Sequence, residues 1–562
     1  LRAWKKKAGK IFKKRRRRRF GRLPLLLFIS AVLLASCVPF GADPDRKTKK
    51  EADFVTSARA SEETLRIVSG SENRMLEGIL EDFSKEEKIN IELTYQGSLD
   101  IMRLLSDETI PYDAVWPASS LWLSIGDEQH RVKHLESTSS TPVIFGIKQS
   151  LAEDLGFVGR DVYVRDILEA IQSGRLKFTM TSATQSNSGA SAYIGFIYAL
   201  LDSPKSLTSE DLEDPHFQEE MKALLAGTER SSGSSDWLKE LYLNGDYDAM
   251  VNYEALIISA NQTLEAEGRE TLYAVYPVDG MMIANSPLGF VSGNGEARRN
   301  EKKKEEAFLK LQDYLLSDAV QAKIQRTGRR TGMNEVSPEN SDVFRKDWGI
   351  DTERVIGTIN MPRKDVLLDA LNLYQRSFKK PGLNIYVLDF SGSMAGRGRE
   401  ELLAALGEIM IDEKASRNFL QASDDELNVF IPFNYGIKEI YTAEGSRDLE
   451  GYYDELEKIP AEGGTALYEA LIAALNYLSE KDLSYYSPSV IVMSDGLANG
   501  TMTLGKFSDY YEKQGADIPI FSILFGDASE GEMESLAEMS RARVFDGRED
   551  LTAAFRSVRG YN

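Results

Sequence analysis

The chain is predicted to be α/β and modular, on three observations. Its 562 residues exceed what one core usually holds, since about 150 residues per domain gives three to four units. From Leu65 onward, short apolar runs alternate with helical patterns, the signature of βαβ units and parallel sheets. The same alternation stops in a polar stretch after Gly332 and restarts at Leu383, so two separate α/β units are expected. An apolar share of 42% with 28% charged residues excludes wholesale disorder, a collagen-like fibre and a polytopic membrane protein.

Residues 1–36 carry 13 basic and no acidic side chains, which leaves 55 basic against 88 acidic groups beyond them, a net −33. An acidic body repels phosphate backbones, so nucleic-acid binding is disfavoured, while divalent metals are welcome. The basic run ending RRRRRFGR precedes LPLLLFISAVLLAS, too short for a comfortable membrane span and read as a signal peptide. It ends in Leu34-Ala35-Ser36-Cys37, which holds the single cysteine and resembles the bacterial lipobox. That resemblance implies cleavage before Cys37, acylation of Cys37, and anchorage on the extracytoplasmic face of the cell membrane. The arginines also resemble a twin-arginine signal, but a polybasic leader is the simpler reading. Residues 37–63 lack apolar periodicity and form a lipidated tether with a reach of about 28 Å.

The module 64–332 opens with the strand LRIVSG, a helix presenting Leu76, Ile79, Leu80 and Phe83 on one face, and the period-two strand INIELTY. YDAVW and TPVIFGIK follow as strands. After the strand LKFTMT, the loop SATQSNSGASA opens an apolar helix. Later come YDAMVNYEA, the strand-like YAVYPVDGMMIA and SPLGFV, then a helix bearing Phe308, Leu311 and Leu315. This order, with the closing phrase AFLKLQDYLLSDAVQAKIQRTGRRTG, resembles two-lobed (type 2) periplasmic solute-binding proteins that serve ABC importers. The resemblance implies a ligand cleft between two lobes, at Ser69, Ser71, Ser98, Ser119, Thr141, Ser186, Asn187, Ser188 and Tyr253. Hydroxyls and helix N-termini there suit a small polar solute or an oxyanion. Each position is also a natural N-cap or turn residue. No Arg or Lys stands in those loops, which argues against a highly charged anion. SSDWLKE and DASEGEMES read as solvated faces, and His130 and His134 as surface residues sharing a helical face at i,i+4 spacing.

Residues 333–382 read as a connector, with the amphipathic helix VLLDALNLYQRSF stopped by KKPG. In the domain 383–562, strands NIYVL, NVFIPF, SVIVM and IPIFSILF are short and continuously apolar, as when helices cover both sheet faces. Asp389-Phe390-Ser391-Gly392-Ser393-Met394 ends its first strand, Gly463-Gly464-Thr465 precedes an apolar helix, and Ser494-Asp495-Gly496 follows the strand SVIVM. Alternate residues of an extended segment point the same way, so oxygen groups from three loops can meet at one sheet edge. Oxygen donors of this kind suit hard divalent cations. The pattern resembles the von Willebrand factor type A (VWA) domain and its metal-ion-dependent adhesion site (MIDAS), in a Rossmann-like doubly wound fold. The resemblance implies Mg²⁺ or Mn²⁺ on Asp389, Ser391, Ser393, Thr465 and Asp495, completed by an acidic side chain of a protein partner. No P-loop, convincing Ser-His-Asp order or acid-base pair stands out, so an enzyme is not expected. The expectation is a lipid-anchored binding or adhesion protein with a module for a small solute. The alternative is the solute receptor of an ABC permease, with the VWA domain as a docking or regulatory part.

Overall fold

The computed structural model describes residues 52–561, apart from 60, 62, 294–299, 333–335, 355–358, 496–497, 516, 525–529 and 549–550. The expected signal peptide, Cys37, the first part of the expected tether and Gly496 therefore lie outside the described residues. Among the described residues no helix is long and apolar enough to cross a membrane. Residues 50–562 form one compact unit built on three six-stranded sheets.

The first sheet runs Phe54–Val55, Ile89–Tyr95, Glu63–Ser69, Ala114–Trp116, Pro287–Val291, Val132–Ser137, with parallel pairing at its centre and antiparallel edges. Leu65, Ile67, Ile91 and Leu93 are buried against Leu80, Phe83, Phe308 and Leu311, which is the core of lobe 1. The second sheet runs Leu272–Val275, Thr141–Lys148, Ala249–Tyr253, Phe178–Thr181, Thr228–Ser232, and Ile283–Ala284 pairs with Thr141–Lys148. The wholly buried helix Asn187–Leu200 packs against it as the core of lobe 2. The chain therefore passes between the sheets at residues 138–140 and again at 285–286, which gives the expected two lobes.

A third segment joins this crossing. Arg330 and Ser140 exchange backbone hydrogen bonds of 2.9 and 2.7 Å. Successive side chains of an extended segment face opposite ways, and the adjacent arginines Arg329 and Arg330 of RTGRRTG use this. Arg329 donates to Ser139 Oγ, Ser286 Oγ and the carbonyl of Glu72 in lobe 1. Arg330 forks onto Glu254 in lobe 2 at 2.8 and 2.7 Å, and both side chains of that pair are buried.

The third sheet runs Tyr441–Glu444, Leu427–Phe433, Gly382–Asp389, Ser487–Ser494, Ile520–Leu524, Val544–Asp546, all parallel except the first pair. One face buries Tyr386, Leu388, Phe430, Ile491 and Met493 against the helices Arg397–Met410 and Leu551–Val558. The other buries Leu383, Ile385, Val387, Val429 and Val490 against Leu467–Ser479 and Leu504–Gln514. Two covered faces explain the continuously apolar strands.

Several elements differ from expectation. The connector is part of the fold: its helix Lys364–Leu373 buries Val366, Leu367, Ala370 and Leu371 in the lobe 2 core, and Tyr193 Oη donates to the Ala370 carbonyl at 2.8 Å. The strand Thr228–Ser232 and the edge strand Tyr441–Glu444 were not anticipated. His130 and His134 share no helix. His130 sits in a turn with φ 52°, and His134, in the strand Val132–Ser137, pairs with Glu305 at 2.6 Å.

Candidate metal and solute sites

Gly382–Asp389 and Ser487–Ser494 are neighbouring parallel strands with Leu388 opposite Met493, so their last residues reach the same carboxyl edge. Asp389 Oδ1 accepts the Ser391 backbone N–H at 2.7 Å, which turns the chain just past the strand, with Ser391 buried and Ser393 exposed. Ser391 Oγ lies 3.0 Å from Ser393 Oγ, and Ser393 Oγ donates to Asp495 Oδ1 at 2.8 Å. Four of the five anticipated side chains thus form one hydrogen-bonded chain. The fifth, Thr465, stands on the adjoining loop and is buried. That loop is tied in by the Gly392 N–H donating to the Gly463 carbonyl at 3.0 Å. Gly463 has φ 83°, and a Cβ there would fall 2.3 Å from the Tyr435 ring, so this turn needs glycine.

Burial raises the Asp389 carboxyl above its usual pKa range; hydrogen bonds from Ser494 and Ser391 oppose this, and the nearby Asp495 charge adds to it. The donor set is oxygen only, two carboxylates and three hydroxyls, which fits a hard divalent cation. One observation the sequence reading missed bears on that fit. Asn434, fully buried at the same edge, has no hydrogen-bond partner on either side-chain atom among the described residues, although its backbone holds Gly436 and Ala466. An orphaned amide beside Thr465 suits a shell of ordered water around a cation. Ser494, which donates to Asp389 Oδ2, and Asn499, which accepts the Thr465 N–H at 2.7 Å, were also missed. Ser494 was legible as the hydroxyl just before Asp495; Asn499 and Asn434 carry no spacing signal.

In the first module the anticipated residues divide into two groups. Ser119 caps its own helix by accepting the Leu121 N–H. Ser98 Oγ accepts the Ala118 N–H, Thr141 Oγ1 the Ala255 N–H, and Ser69 Oγ the Asn73 amide. These four serve local structure. The rest meet between the lobes. Ser71 Oγ lies 3.0 Å from Ser234 Oγ, and Asn187 accepts from Trp122 Nε1 at 2.7 Å and donates to Tyr253 Oη at 3.0 Å. Ser186 and Ser188 both reach Ser235 Oγ, at 3.1 and 2.7 Å. Ser234 and Ser235 belong to SSDWLKE, which is the N-cap and first turns of the helix Ser235–Asn244 with Ser235 and Leu238 buried, and so is only in part a solvated face; it follows the unanticipated strand Thr228–Ser232.

Those loops hold no Arg or Lys, but a basic residue reaches the cleft from elsewhere in the chain. Arg329 is buried there, with Nε lacking a partner among the described residues. Beside it Glu72 is buried with Oε1 unpartnered; burial raises its pKa and the Arg329 charge opposes that rise. The arginine was hidden because it arrives from a distant, highly charged phrase rather than from a strand-end loop.

Residues 65–330 match the family described as bacterial extracellular solute-binding protein. No curated protein matches the chain. Among solved structures, the sulfate-binding protein SubI from Mycobacterium tuberculosis H37Rv is 15% identical with a TM-score of 0.37, over 50% of this chain and 90% of that one. The periplasmic binding protein AfuA from Actinobacillus pleuropneumoniae, with fructose-6-phosphate bound, is also 15% identical, with a TM-score of 0.38 over 50% of this chain and 88% of that one. A von Willebrand factor type A protein from Catenulispora acidiphila is 15% identical with a TM-score of 0.27, over 33% of this chain and 43% of that one.

Proposed function

We propose that this chain is an extracytoplasmic binding protein, lipid-anchored through Cys37, that carries a solute cleft and a divalent-cation site for gripping an acidic side chain of a protein partner. The observation that supports the second part is the hydrogen-bonded chain from Asp389 through Ser391 and Ser393 to Asp495 at one carboxyl sheet edge. Mg²⁺ or Mn²⁺ there would be held by Asp389, Ser391, Ser393, Thr465 and Asp495, and would polarise toward a foreign carboxylate. Tyr435, 70% exposed beside Gly463, gives the partner an aromatic contact next to the ion. The reading is one of binding without catalysis.

Isothermal titration of the full chain with MgCl₂ and MnCl₂ tests it. The wild type is expected to take up one ion per chain, and Asp389→Ala and Asp495→Ala none. Equal uptake by folded variants would remove the metal from the proposal.

A second reading, a solute receptor delivering to an ABC permease, is favoured by the match over residues 65–330 and by Glu72 Oε1, Asn73 Oδ1 and Arg329 Nε, which have no hydrogen-bond partner among the described residues. A thermal-shift screen of the full chain against oxyanions, sugar phosphates and zwitterions checks it. A shift abolished by Arg329→Met would support this reading; a flat response across the screen would count against it.

A further inference from the structure

The end of the second module lies on two segments of lobe 2, the loop at Gln185 before the helix Asn187–Leu200 and the strand-to-helix stretch 231–237, which also carry the cleft residues Ser186 and Ser235. Gln185, next to Ser186, donates through Nε2 to the Arg556 carbonyl at 2.8 Å. Gly560 lies so close over the same glutamine that a Cβ there would fall 1.8 Å from Gln185 Oε1 and displace that side chain. Ser231 Oγ donates to the Gly560 carbonyl at 3.4 Å, and the Tyr561 ring stands edge-on to Trp237 with centroids 4.9 Å apart. Tyr561, the last described residue, is buried. Two further bonds reach Asp517, from Arg230 at 3.3 Å and from Tyr247 Oη at 3.1 Å.

The contact does not stop at lobe 2. Arg556 donates to Asn418 Oδ1 at 3.2 Å, and the next residue, Phe419, lies under the guanidinium of Arg103 in lobe 1 at 5.5 Å. The backbone of Gly97, also in lobe 1, rests against the Gln185 carbonyl. The lobes themselves meet through Ser71 with Ser234 and Trp122 with Asn187. Two lobes joined by thin crossings can open only if whatever spans them lets go.

We propose that the terminal segment Arg556–Tyr561, with Phe419, is a strap that holds the two lobes closed, so that a solute reaches the cleft only when the end of the second module lifts from residues 185 and 231–237. The strap rests on reading the cleft as the solute site, and it makes the second module the regulator of that site. Because binding free energies are reciprocal, whatever frees the strap changes cleft affinity, and cleft occupancy changes the hold of the strap by the same factor.

The experiment uses the full chain with Cys37→Ser, spin-labelled at Asp107→Cys in lobe 1 and Glu213→Cys in lobe 2, both exposed positions. Pulsed spin resonance then reads the distance between lobes with no solute present. The starting chain is expected to give one narrow distribution, and Tyr561→Ala or Trp237→Ala a second, longer one. In parallel, amide exchange over 182–188 and 231–238 is expected to quicken about tenfold, the loss of one aromatic pair, while 384–389 stays unchanged. Unaltered distances in both variants would overturn the strap. Should Tyr561→Ala unfold the second module, Trp237→Ala, which breaks the contact from the other side, decides alone. No solute enters this measurement, so its failure leaves the solute reading untouched, and an empty solute screen leaves the strap standing.

Discussion

Glu426 is fully buried beneath the third sheet and gathers three donors on a single oxygen: Arg559 Nη2 at 2.7 Å, Asn428 Nδ2 at 3.0 Å and Asn384 Nδ2 at 3.1 Å. Its other oxygen has only Lys379 Nζ, at 3.9 Å, too far for a hydrogen bond. Burial alone would raise the Glu426 pKa, but the Arg559 and Lys379 charges overturn that and hold it below the usual range. Lys379 fares worse. Burial pushes it down to about 8 against the Glu426 attraction, and the Arg559 charge pushes the same way. Its folded pKa lies below the unfolded one, so between pH 8 and about 10.4 the unfolded chain binds more protons and stability rises with pH. Lys379→Met is therefore expected to flatten the stability curve over that window and to leave stability at pH 7 unchanged or higher, since a buried charge with a poor partner is removed. Urea unfolding midpoints at pH 7, 8, 9 and 10 check this; parallel curves for the two proteins would sink it.

At the scale of elements, the helix Lys364–Leu373 and the turn after it behave as the last layer of lobe 2. Leu367 is fully buried, and Tyr374 and Phe378 pack on Tyr193 and Phe217 with ring centroids 5.2 and 5.8 Å apart. Leu367→Ala is expected to cost about 2–5 kcal/mol in the full chain, read as a lower urea midpoint. A loss under 1 kcal/mol would show that the helix only rests on the lobe. The polar stretch before this helix looks like a linker because sequence shows what surrounds a helix in the chain, not what it packs on. The legible elements share a cause. The strands Gly382–Asp389, Leu427–Phe433 and Ser487–Ser494 announce themselves through unbroken apolar runs, and the Asp389, Ser391 and Ser393 spacing sits on one of them. The strand Thr228–Ser232 reads TERSS and shows no apolar alternation, because it is an edge strand that pairs along one side only and its buried Ser231 and Ser232 hydroxyls bond to the Gly560 and Ser234 carbonyls. Ser234 and Ser235 were lost with it. Arg329 was lost for a different reason: its partners Glu72, Ser139 and Ser286 are far from it in sequence, and spacing cannot report contacts of that kind.

At the scale of the whole molecule, the question is whether two modules with separate cores melt separately. Domains in one chain usually meet through modest, polar surfaces and move independently. Here the joins are of three kinds: the connector helix is buried in lobe 2, the charged group of Lys379, Glu426 and Arg559 ties the connector to the end of the chain, and Tyr561 and Arg556 hold the cleft loops. Removing either module would uncover one ring of the Trp237–Tyr561 pair, whose centroids lie 4.9 Å apart across the join. The modules are therefore expected to unfold together. A ligand of the native state stabilises by about 2.7 kcal/mol at a hundredfold excess over its dissociation constant. In a coupled protein that stabilisation moves the entire heat-absorption peak, and in an uncoupled one it moves only the part that holds the ligand. Scanning calorimetry of the full chain with and without MgCl₂ should show a single transition displaced upward as a whole, and Asp495→Ala should abolish the displacement without splitting the peak. Two resolved peaks, with Mg²⁺ shifting only one, would mean that the strap and the connector are too weak to transmit stability between the metal site and the cleft.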